Sequence, residues 1–92
     1  MKLEIEIPHT IAPAESAAIV HAVDRMIAVA SHGALKKEAG QFVKDGLVEH
    51  LVHASSHVMC FGASDIESKL PHLWHALTRL ALACELEAMD NG

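Results

Sequence analysis

Residues 77–89 carry apolar side chains around most of a helical circumference, with Leu80, Ala81, Leu82, Ala83, Leu86 and Met89 all in one stretch. A helix apolar on most faces must be covered on most faces. A chain of 92 residues and 9.9 kDa has little to cover it with, since domains of this size bury only about 60–65% of their unfolded surface. The sequence therefore predicts one small domain over residues 1–92, mainly α, assembled as a homo-oligomer, with Leu82, Leu86 and Met89 in the subunit contact.

Ahead of that helix, Lys2-Leu3-Glu4-Ile5-Glu6-Ile7 alternates polar and apolar, the period of a half-buried strand. Pro8 ends it. A lone strand leaves unpaired N–H and C=O groups that seek a partner. The strand over 2–7 is accordingly expected to pair with the same strand of another copy, placing Leu3, Ile5 and Ile7 at the oligomer interface; an arm lying on the helices is the alternative. Three helices follow, over about 13–32, 34–61 and 65–89. Pro13 suits a first turn, and Ile19, Val23, Met26, Ile27 and Ala30 recur at helical spacing up to Gly33. Leu35 through Val58 give the second helix its stripe, with a weak point or a break at Gly46 and a stop at Gly62. Ser64-Asp65-Ile66-Glu67 has capping-box spacing, and Pro71 inside the third helix calls for a kink or a restart.

Composition narrows the functional classes. Hydrophobic residues make up 51% and charged residues 21%, which excludes disordered and collagen-like chains. No apolar run approaches the roughly 20 residues that span a bilayer. Two cysteines, Cys60 and Cys84, are too few for a disulfide scaffold, so a cytoplasmic location is expected. Seven Lys and Arg stand against 12 Asp and Glu, a balance that argues against nucleic acid as a partner. Eight histidines would carry the formal charge from −5 to +3 if all were protonated.

The sharpest chemical pattern is His50, His53, His57 and Cys60, spaced i, i+3, i+7, i+10. At 100° per residue they fall within an arc of about 80°. Imidazole and thiolate suit zinc, nickel or copper, and Glu49 lies one turn before His53. The same histidines also suit a helix–helix contact. Gly33-Ala34-Leu35, Phe42-Val43-Lys44 and residues 47–53 resemble the second helix of the copper- and nickel-sensing repressors of the CsoR/RcnR type. That resemblance implies a small helical oligomer, with His50 at a ligand position and His21 where the family has a ligand cysteine. Gly46 falls where the nickel sensors have a histidine, and the family's long first helix and basic DNA-facing residues have no counterpart.

A second cluster, His72, His75 and Arg79, joins Lys36 and Lys37 as a candidate pocket for a phosphate or carboxylate. Its alternative is a solvated polar edge. Trp74 reads as an anchor and Cys84 as a small core residue. Without a phosphate loop, a nucleophile elbow or a zincin motif, no enzyme is expected. The leading expectation is a non-catalytic acidic oligomer that binds and regulates a macromolecular partner, as an inhibitor or adaptor does. A His/Cys transition-metal regulator and an oligomer sequestering a small nucleotide-like anion are the alternatives.

Overall fold

Three helices organise residues 5–91, the part of the chain that the computed structural model describes: α1 (Pro13–Gly33), α2 (Gln41–Met59) and α3 (His72–Asn91). Pro13 sits in the first turn of α1, where its missing N–H costs nothing, and Glu15 lies at the positive end of the helix dipole. After Gly33 the chain unwinds through overlapping turns, Ala34 N–H donating to the Ala30 carbonyl and both Lys36 and Lys37 N–H to the Gly33 carbonyl.

The second helix begins at Gln41 rather than Ala34. Residues 34–40 form the reversal that separates it from α1, and Gly40 makes the final corner at φ 76°, a left-handed conformation that glycine adopts without a Cβ clash. The weak point expected at Gly46 is a break: its φ of 82° and ψ of 163° are not helical. Residues 47–59 continue as one helix that ends at Met59, two residues short of the expected end at 61, and Gly62 (φ 87°) lies in the turn beyond it.

The third helix begins at His72, not at residue 65. Proline cannot sit inside a helix without losing a hydrogen bond and crowding the preceding turn, so the chain restarts at His72. Upstream, residues 64–71 close on themselves through an antiparallel bridge between Ser64 and Pro71 and an Asp65 N–H to Leu70 carbonyl bond of 2.8 Å. The expected Ser64/Glu67 capping box is replaced by Asp65, whose Oδ1 accepts from the backbone N–H of Glu67 and of Ser68.

Helix α3 is the middle element. It packs against α2 along most of its length and against α1 more lightly, while α1 and α2 do not meet. Trp74 anchors the α1 side, with the Arg25 guanidinium 5.7 Å from its ring centroid. The buried apolar core consists of Ala54, Ala76, Ala83 and Leu86. Leu86 is buried within the chain and Leu82 is half-buried, whereas Met89 is exposed. Cys84, expected in the core, is exposed. Residues 5–7 have no regular secondary structure, and no strand is present among the described residues. Leu3 and the rest of the expected strand over 2–4 lie outside the described residues. Among the described residues no helix is long and apolar enough to cross a membrane.

Candidate metal centre and the cleft beside it

The antiparallel packing of α2 and α3 brings the two histidine stripes face to face. His57 meets His72, their δ nitrogens 2.9 Å apart, and His50 meets Arg79, whose Nη1 lies 3.0 Å from His50 Nδ1. Seven residues, or about two turns, separate the two pairs on each helix. Between them along the helices lie the buried alanines Ala54 and Ala76. Small side chains at such a crossing let helix axes approach closely.

Each pair has a definite chemistry. His50 is almost fully enclosed, at 1% exposure. Its Nε2 lies 2.8 Å from the Phe42 carbonyl, which can only accept, and its Nδ1 faces a guanidinium, which can only donate. His50 is therefore held as the Nε2–H tautomer, with both ring nitrogens engaged. Arg79 Nη1 also lies 3.9 Å from Asp45 Oδ2. The Asp45 carboxyl is held below its usual range, first by the hydrogen bond from Gln41, then by the charges of Lys37 and Arg79.

At His57 and His72 the two δ nitrogens face each other, so one donates while the other accepts. His75 stacks on His57 with ring centroids 4.8 Å apart, and its Nε2 lies 2.7 Å from Ser68 Oγ. Burial, together with the charges of His75 and His72, holds the His57 ring below its ordinary value. Burial likewise lowers His75, helped by the charges of His72, His32 and Arg79 and opposed by Asp65. Asp65 completes the group: the ligand atoms of His57, Asp65 and His72 all lie within 4.8 Å of one another. Its carboxyl is held low chiefly by the Ser68 backbone N–H. Both backbone donors fall on Oδ1.

Of the four ligands expected from α2, only His57 belongs to this group. His50 is committed to Phe42 and Arg79, His53 lies 2.9 Å from Glu49 on the exposed face, and Cys60 is exposed beyond the end of the helix. His21 is exposed on α1. His72 was expected in an anion pocket; instead its δ nitrogen turns to His57. Asp65 was read only as part of a cap. No periodicity marks it, but Gly62 and Pro71 bracket a short connection that had to return the chain from α2 to α3, and Asp65 lies within it.

Beside the trio a cleft of about 730 Å³ opens between the C-terminal end of α1 and the N-terminal end of α2. Lys36, Lys37, His75 and Arg79 line it, as do His32, His50, His57 and Asp65. Four of the five expected anion-binding residues are thus gathered. Lys36 pairs with Glu67, and His32 Nε2 is buried without a hydrogen-bond partner. No protein-family model, curated protein or solved structure matches this chain.

Proposed function

We propose that the protein binds a divalent transition metal, zinc foremost, through His57 Nδ1, His72 Nδ1 and a carboxylate oxygen of Asp65. In this role it acts as a regulator: the ion fixes the packing of α2 against α3, and a macromolecular partner reads that state. The observation that carries the reading is the pair of δ nitrogens 2.9 Å apart with Asp65 in the same group. Two nitrogens on one tetrahedral zinc, each about 2.05 Å from the ion, stand about 3.3 Å apart. Side-chain torsions alone can open the present pair that far. The lowered His57 leaves its ring neutral at pH 7, the form that ligates. Asp65, ionised and oriented by two backbone donors, is supported as a ligating carboxylate should be. Three protein ligands leave a fourth position for water or an exogenous ligand. Imidazole ligands also accept nickel and copper.

The test is zinc titration of the full chain in competition with a chromophoric chelator. One ion per chain is expected, with affinity falling about 100-fold in His72→Ala and in Asp65→Asn, and unchanged in His53→Ala and Cys60→Ser. Failure of the wild type to take up stoichiometric zinc, or equal affinity in His72→Ala, would overturn the assignment.

A second reading rests on the cleft, which Lys36, Lys37, His75 and Arg79 line together with Glu38, Asp45, Asp65 and Glu67: its cations take a small anion of nucleotide size. Binding of a fluorescent nucleotide at low salt should weaken with ionic strength and drop at least 10-fold in Arg79→Ala. Binding indifferent to both changes would remove this reading.

A further inference from the structure

Among the described residues, no other helix packs on the outer side of α2. Over residues 47–59, taking His50 as the inward reference, Ala54 and His57 lie on the inward side and Glu49, His53, Ser56 and Cys60 form a polar flank. On the remaining side stand Val48, Leu51, Val52, Val58 and Met59. Val48, Val52 and Met59 lie about 160–200° from His50 and are 72%, 56% and 83% exposed. A surface helix ordinarily presents charged and polar groups there, and a contiguous apolar patch of this kind marks an association site.

Two observations identify the occupant. First, the chain exposes 6932 Å², whereas a compact monomer of 9.9 kDa exposes about 5,200 Å². The excess is about 1,700 Å². Half of it already matches the roughly 800 Å² that each partner contributes to a standard interface. With four buried apolar residues as its core, the fold needs that cover continuously, and a copy of itself is the partner always present in equal amount. Second, the stripe is symmetric about Ser55: Leu51 and Met59 lie four residues to either side, Val52 and Val58 three. A two-fold axis imposes that self-complementarity on an isologous contact.

We infer that the outer face of α2 is a homodimer interface, two α2 helices crossing antiparallel at Ser55. Leu51 of one copy then meets Met59 of the other, Val52 meets Val58, and the small Ser55 at the axis lets the helices approach. This inference is independent of the metal reading, which uses the opposite side of α2.

Sedimentation equilibrium of the full chain at tens of micromolar should return a dimer. Val52→Glu should shift it to monomer, an affinity loss of at least about 100-fold, with helical content checked by circular dichroism. Because that variant could lose its fold, a second variant reads the geometry directly. Ser55→Cys in a Cys60→Ser, Cys84→Ser background should form a symmetric intermolecular disulfide under mild oxidation, since residues on the axis bring their Cβ atoms within bridging distance. A monomeric wild type, as expected if the face serves a different protein, would overturn the inference. So would a dimer that yields no Ser55→Cys crosslink.

Discussion

Three imidazoles share one small volume: His57 stacked on His75 and bonded at its δ nitrogen to His72. Protonating all three would place like charges within contact distance, in a setting where burial already disfavours the charged form. The direction of the pH effect follows. His57 and His75 are held below their ordinary 6.5 in the folded chain, so the unfolded chain binds more protons as the solution is acidified past that value. Folding stability should be full above about pH 6.5, decline as pH falls below it, and level off below the lowered folded values. Asp65 and Asp45, held low in the fold, lose their contribution only in a separate window beneath their ordinary 3.8. Urea denaturation at pH 7.5 and 5.5 should give a lower midpoint at 5.5, and His75→Asn should flatten the difference. A midpoint that stays level between the two would show that the cluster tolerates its charge.

At the scale of elements, the break in α2 is set by one residue. Gly46 has φ 82° and ψ 163°, a region essentially reserved for glycine, where other residues cost about 1–3 kcal/mol. A Cβ there would meet open space, so the penalty is one of backbone conformation alone. Gly46→Ala should lower stability by about 1–3 kcal/mol in urea denaturation. An unchanged or higher midpoint would mean that α2 readily straightens, at the expense of the His50 bond to the Phe42 carbonyl across the break. The three helices, the stop at Gly33 and the turn at Gly62 were legible from 3.6-residue periodicity and glycine placement. The start at Gln41 was not, because residues 34–39 contain good helix formers; at Pro71 a kink or a restart was legible, but not that residues 65–70 ahead of it stay out of the helix. The site was half legible. Both stripes, His50/His53/His57 and His72/His75/Arg79, stood out by spacing, but spacing puts residues on a helix face without saying what that face meets. Reading the stripes separately made two sites out of what is largely one facing pair. Asp65 lies in the connection, where no period operates.

For the whole molecule, the decisive feature is how little of it is interior. The radius of gyration is 14.2 Å, against about 12 Å for a compact domain of this length. The two proposed contacts fall on opposite sides of one helical segment, residues 47–59. On the two proposals zinc would act on the inward side, where the paired ring nitrogens stand 2.9 Å apart and must open toward about 3.3 Å, and the second copy on the outer side. Their effects should therefore add. The melting temperature should rise with protein concentration at fixed zinc and with zinc at fixed protein concentration, by about 2.7 kcal/mol of stabilisation at zinc one hundred times its dissociation constant. One coupling is expected and has a known sign. Each chain carries −5, and a bound dication reduces that to −3, so zinc relieves repulsion between copies and tightens the dimer at low salt. Screening over about 8 Å at physiological ionic strength should remove the effect. Sedimentation with and without zinc, at 20 and 150 mM salt, separates the cases. A dimer constant that zinc shifts more than 10-fold at 150 mM salt would mean that the inward and outward faces of α2 move together, making the metal a switch for assembly.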